Sequence, residues 1–199
     1  MNTVRQQNFQ LRKEKILAMA ETLLLDNNQD ITLAELACEL DIAKGTIYKH
    51  FKSKNQLYLE LIILNEKRLL EISKKYKNNI KTYVSQYMLY NMLNSNRTIL
   101  LHVIEERLTN NERKLKELFE QLYRVREERI IEIKDMTDEY LKSFNSAMSI
   151  RDYLSYIWTV TYGASLLLNS THYQKAIGSR ERLIKLYINQ ALMTPDKIS

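Results

Sequence analysis

Residues 31–54 read Ile31-Thr32-Leu33-Ala34-Glu35-Leu36-Ala37-Cys38-Glu39-Leu40-Asp41-Ile42-Ala43-Lys44-Gly45-Thr46-Ile47-Tyr48-Lys49-His50-Phe51-Lys52-Ser53-Lys54. Thr32 with Glu35 forms a Ser/Thr-x-x-Glu capping box, so a helix is expected over 32–39. Leu40-Asp41-Ile42 has room only for a tight turn, in which Asp41 takes the left-handed conformation that suits Gly better. A short helix follows over 43–50, and Ser53-Lys54-Asn55-Gln56 is a second capping box that opens a longer one to about residue 76. Leu33, Leu36, Ala37 and Leu40 face Ile42 and Ile47, with the small Ala37 letting the two short helices approach. This is the pattern of a helix-turn-helix.

Upstream, a helix over 9–26 carries Leu11, Ile16, Ala20, Leu23 and Leu24 on its apolar face and completes a trihelical core. The second short helix then presents Lys44, Gly45, Thr46, Tyr48, Lys49 and His50 outward, a hydrogen-bonding surface without an acid. A helix that enters a DNA major groove needs such a face, because base edges and phosphates are read by hydrogen bonds. Charge is segregated accordingly. The span 20–41 holds six acids and no Lys or Arg, whereas 42–54 holds four lysines and no acid.

Downstream, helices are expected near 79–94, 97–109, 112–143, 150–170 and 179–192, with polar joints between them. The whole chain of 199 residues contains 3 Gly and 1 Pro, too few for the turns of a β-rich fold, so an all-α architecture follows. The division expected is 1–52 as a three-helix DNA-binding domain and 53–199 as a larger helical domain. The 19 residues 153–171 lack charge, but their Ser, Thr, Asn and Tyr content suits a buried helix of a soluble protein, not a membrane span. Met1 is followed by polar residues and not by a secretory signal, and one cysteine, Cys38, allows no internal disulfide; both fit a cytoplasmic protein.

The string Gly45-Thr46-Ile47-Tyr48-Lys49-His50-Phe51-Lys52-Ser53-Lys54, with Ile31 to Ala37 before it and Leu57 after it, resembles the N-terminal domain of the tetracycline-repressor (TetR) family. The likeness covers roughly residues 9–60, with Asp41 where Gly is usual and Ala43 where a capping Ser is usual. It implies a homodimeric transcription regulator, most often a repressor, that binds double-stranded DNA at a palindromic operator and is released by a small-molecule effector. DNA contacts would come from Thr32, Lys44, Gly45, Thr46, Tyr48, Lys49, His50 and Lys54. Lys54 would bring both its charge and a helix N-terminus to a phosphate. Gly45, costly inside a helix, would let the backbone approach DNA.

The same likeness implies a ligand cavity in the C-terminal helices, where Tyr and Met are abundant. Tyr87, His102, Tyr123, Trp158 and Tyr162 are the candidates there, since Tyr and Trp join an apolar face to a polar handle. The last helix bears an apolar stripe of Leu183, Ile184, Tyr187, Ile188 and Ala191, expected at a dimer interface together with the 153–171 helix. No catalytic or metal-binding residues and no cofactor are expected. Glu-x-x-His pairs, His-Glu-x-x-His, Gly-rich phosphate loops and Gly-x-Ser-x-Gly are all missing. The competing reading is a helical adaptor whose helix-turn-helix no longer binds DNA.

Overall fold

The computed structural model describes residues 4–27, 30–111, 113–176 and 178–197, and these contain helices and no strand. The elements are α1 (Val4–Asn27), α2 (Leu33–Glu39), α3 (Lys44–Tyr48), α4 (Lys54–Lys75), α5 (Ile80–Leu93), α6 (Ser95–Asn111), α7 (Lys116–Ser143), α8 (Ile150–Asn169), α9 (Thr171–Ala176) and α10 (Arg180–Met193). Single 3₁₀ turns at Arg113–Leu115 and Thr194–Lys197 precede α7 and follow α10. The chain is all-α, as its composition requires. α1 begins five residues before its expected start, and α9 was not expected from the sequence. Part of the expected break after α1, residues 28 and 29, lies outside the described residues.

Two compact units result: Met1–Leu64 with Val103–Gln121, and Asn65–His102 with Leu122–Ser199. In the first, Ile16, Ala20 and Leu24 stand four residues apart on one face of α1 and are at most 2% exposed. Leu11, placed on that face from the sequence, is 55% exposed: the stripe that meets the core starts a turn later. Leu36 and Ile47 are buried where α2 packs against α3.

In the second unit α5, α8 and α10 pack against one another. Tyr83, Val84, Met88, Tyr153, Ile157 and Ala164 lie at the centre of that core. Tyr153 is fully buried and donates its hydroxyl hydrogen to the carbonyl of Ala191 at 3.2 Å, which satisfies its one polar group. α7 ends in a Schellman turn. Asn145 adopts φ 51°, its N–H reaches the Lys142 carbonyl at 3.0 Å, and Ser146 N–H reaches the Leu141 carbonyl at 3.1 Å. α8 then starts from a capping box of Ser149 and Asp152.

The stripe expected at a dimer interface is corrected in part. Ile184 (5% exposed) and Ala191 (0%) face the core of their own unit, so they have no surface left for a partner. Leu183, Tyr187 and Ile188 are partly buried against the same core. The apolar side chains that α10 leaves in solvent are Leu186 and Met193. The stripe was broad because α10 packs on both α5 and α8.

Candidate nucleic-acid interface and ligand cavity

The capping box at α2 forms as expected: Thr32 Oγ1 accepts from Glu35 N–H at 3.1 Å, and Glu35 Oε2 accepts from Thr32 N–H at 2.7 Å. The Thr32 backbone N–H first, and then the Thr32 side chain, hold the Glu35 carboxyl below its ordinary range. At the other end of α2, Asp41 adopts φ 51°. Its N–H reaches the Cys38 carbonyl and Ile42 N–H reaches that of Ala37, both at 3.0 Å, completing a second Schellman turn. α3 therefore leaves the turn in a set direction, although Ala43 at its N-cap makes no side-chain bond.

At the start of α4 Ser53 Oγ accepts from Gln56 N–H at 3.1 Å, but Gln56 Oε1 returns to Lys52 N–H at 2.9 Å and not to Ser53. The box expected there is thus shifted by one residue on its return side.

α3 covers Lys44–Tyr48 and is shorter than expected, with hydrogen-bonded turns continuing to Phe51. Its outer face carries exposed Lys44, Gly45, Tyr48 and Lys49 with a partly exposed Thr46. A Cβ built on Gly45 would meet nothing within 4 Å, so packing within the protein does not require glycine there.

His50 departs from its expected outward position. It is 9% exposed, and its ring lies 4.0 Å from that of Phe9, which covers it from α1. Its Nδ1 is buried without a hydrogen-bond partner. Burial foremost, then the charges of Arg12 and Lys13, push its pKa down, against a smaller opposing pull from Glu60. The charged imidazole is disfavoured in the fold, so the unfolded chain takes up the proton first on acidification. Stability should therefore fall as pH drops below about 6.5, the ordinary histidine value, and recover as pH rises through that window. Denaturation midpoints at pH 7.5 and 5.5 should differ less in His50→Leu than in the natural chain. An unchanged difference would remove His50 as its source.

Lys54 is also partly committed. Its Nζ lies 3.1 Å from Asp30 Oδ2, and Arg107 from α6 reaches the same carboxylate at 3.2 Å. Asp30 further accepts from the Tyr58 hydroxyl at 3.1 Å, and Tyr58 in turn accepts from Ile31 N–H at 3.0 Å. Burial raises the Asp30 carboxyl, but the Arg107 and Lys54 bonds outweigh it and the group titrates below its ordinary value. Tyr58 is pushed up to about 12, by burial first. This knot joins the segment before α2 to α4 and α6, and the sequence did not reveal it.

The second unit holds a cavity of approximately 730 Å³ between α5, α7 and α8. Two expected ligand residues, Tyr87 and Trp158, line it. His102 and Tyr162 stand behind Trp158: the Tyr162 ring stacks on the indole at 5.4 Å, and His102 meets Tyr162 edge-on at 4.8 Å. Tyr123 is corrected. It is 52% exposed and does not line the cavity, because it lies off the apolar stripe of α7 formed by Leu122 and Val125.

The main omission is Arg129, which lines the cavity beneath Tyr83 and Tyr87 with its guanidinium carbon 5.5 Å from the Tyr87 ring centre. Glu66 on α4 receives Arg126 Nε at 3.0 Å and an Arg129 terminal nitrogen at 3.4 Å. Burial opposes the Arg129 charge most strongly, but Glu66 together with the phenols of Tyr87 and Tyr83 outweighs it and holds the group protonated. A signal for the pair existed. Arg129 is four residues from both Val125 and Ile133 on the buried stripe of α7, and Glu66 falls between Ile62 and Leu69 on that of α4. Opposite charges at two apolar-stripe positions point to a buried ion pair.

Among the described residues no group of three His, Cys, Asp or Glu could hold a metal ion, and no helix is long and apolar enough to cross a membrane.

A trihelix with a Schellman-turned helix-turn-helix and an acid-free outer helix defines the class of DNA-recognition modules. Residues 16–61 match the family model of bacterial regulatory proteins, tetR family. That match spans less than half of the chain, and over it the chain is similar to that family of regulators. It is 35% identical over 82 residues to the HTH-type transcriptional regulator QacR of Staphylococcus aureus, covering 41% of this chain and 44% of the relative. With the HTH-type transcriptional regulator AcrR of Shigella flexneri it shares 30% over 110 residues, 55% of this chain and 47% of the relative. With the nucleoid occlusion factor SlmA of Shewanella sediminis it shares 40% over 60 residues, 30% of each chain. The chain thus spans less than half the length of the curated relatives it matches.

Proposed function

We propose that this protein is a homodimeric DNA-binding transcription regulator that represses from a palindromic operator and is released when a small molecule fills the cavity. Residues 1–52 take the DNA role, and 53–199 take ligand binding and dimerisation. The observation that carries the reading is the outer face of α3: exposed Lys44, Gly45, Tyr48 and Lys49, no acid, and open space above Gly45. Lys44 and Lys49 supply charge, Tyr48 and Thr46 supply hydroxyls, and Gly45 admits the duplex backbone.

Thr32 sits at the exposed start of α2, where a phosphate would compete with the Glu35 carboxylate for its hydroxyl hydrogen. Lys54 shares a half-exposed carboxylate, an ion pair weak enough to exchange for DNA. His50 supports the head by packing and drops out of the contact set. Dimerisation is favoured by the exposed apolar Leu166 on α8 and Leu186 and Met193 on α10. Release would follow from a ligand that binds better when the two heads are wrongly spaced, with α4, whose residues belong to both units, as the connection.

Selection of bound sites from random DNA should return a two-fold symmetric sequence. On that site the logarithm of affinity should fall linearly with the logarithm of salt, by about 0.9 for each phosphate neutralised. Lys49→Ala should reduce the slope by about one. A flat salt response would instead favour the adaptor reading, which needs no polyanion.

A further inference from the structure

We propose that the cavity between α5, α7 and α8 takes an apolar organic anion, of the size of a medium-chain or aryl carboxylate, with Arg129 at its floor and Lys134 and Arg151 at its mouth. The proposal deepens the ligand-released reading and rests on it for its regulatory meaning, though not for binding itself.

The lining residues include Arg129, Lys134 and Arg151 and no acid. Glu66, a buried carboxylate behind the floor, receives both Arg126 and Arg129, so Arg129 does not hold it alone. Arg129 is 16% exposed, and its Nε has no hydrogen-bond partner. Lys134 and Arg151 are exposed, and Lys134 forms no ion pair among the described residues.

Apart from Ser155 and Thr159, the rest of the wall is apolar or aromatic. Ile133 and Ile157 are at most 2% exposed, and the ring of Tyr87 adjoins Arg129. The phenol of Tyr87 is pushed up to about 12 by burial, so it stays protonated and able to donate. Such a site rewards an apolar body, satisfied by the walls, and a single negative head, satisfied by cations and a phenol. A cationic amphiphile of the same size would fit the walls but would bring like charge against three side chains.

Trp158 is the sole tryptophan and lines the cavity, so its emission reports on this site alone. Decanoate, added below its micelle concentration, should change that emission saturably, whereas decyltrimethylammonium should not at equal concentration. Lys134→Ala with Arg151→Ala, both on the surface, should weaken decanoate binding about tenfold. Arg129→Lys, which keeps the charge opposite Glu66, should weaken it further by losing the planar fork.

Tighter binding of the cation, or decanoate affinity indifferent to both sets of changes, would overturn the proposal. Operator binding is measured separately, without either amphiphile. If decanoate binds but no DNA does, the regulator reading fails and the anion site stands. If DNA binds and the cation is preferred, the ligand class fails and the regulator reading stands.

Discussion

Replacing Gly45 by Ala should make the free protein more stable and its DNA complex weaker. Glycine inside a helix costs roughly 0.5–1 kcal/mol relative to alanine, because the unfolded chain loses more freedom on folding. That cost would be justified structurally if a neighbour excluded a side chain, but a Cβ at this position meets nothing within 4 Å and φ is not positive. The alanine should therefore raise the unfolding free energy by about 0.5 kcal/mol or slightly more.

On DNA the added methyl would stand on the outer face of α3, between Lys44 and Thr46. Separating the backbone from the duplex there should cost one close contact, about 1–3 kcal/mol, or roughly tenfold to a hundredfold in affinity. Stability by chemical denaturation and affinity by fluorescence anisotropy measure the two effects independently. Movement of both in the same direction would mean that Gly45 serves the fold and not the complex.

Glu66→Ala should cost about 3 kcal/mol of stability, the largest loss expected from a single polar change. Removing the carboxylate leaves Arg129 buried and charged, and Arg126 without its 3.0 Å partner. The magnitude separates this from surface electrostatics. Exposed pairs such as Lys185 with Glu181 are screened by water and add little. Breaking a buried pair costs about 3–5 kcal/mol, yet exchanging both partners for apolar groups is often neutral.

Glu66→Leu combined with Arg129→Met should accordingly recover most of the loss. Arg126, 30% exposed, can turn its charge to water in that background. Denaturation of the three proteins under one set of conditions decides the matter. A single-variant loss below about 1 kcal/mol would place the pair with the surface bridges. The double variant should also lose decanoate binding, which ties the stability of this pair to the polarity of the cavity floor.

The local chemistry of the DNA-binding head was legible because its signals are short in sequence. The Thr32–Glu35 box, the left-handed Asp41 and the uncapped Ala43 all depend on residues a few positions apart, and the structure bears each of them out. The fit failed where a distant segment intervened. His50 looked outward on the periodicity of α3 alone, but Phe9, forty-one residues earlier on α1, lies over its ring. Lys54 looked free, but Arg107 and Asp30 form a knot with it across α6 and the segment before α2.

The helical domain divides along the same line. Helix ends were set by local caps at Asn79, Ser149 and Ser179. Which aromatic rings face the cavity was set by packing: Tyr87 and Trp158 reach it, while Tyr153 is core and Tyr123 faces solvent.

Hydrogen bonds that close helix ends span three to five residues, so composition and spacing were sufficient for an all-α chain with this head and its acid-free helix. The floor of the cavity, the covering of His50 and the inward turn of Ile184 and Ala191 join residues tens of positions apart. Periodicity states only that such a face is apolar or charged. What it meets is chosen when the helices close on one another, since burial is a property of the neighbours and not of the side chain.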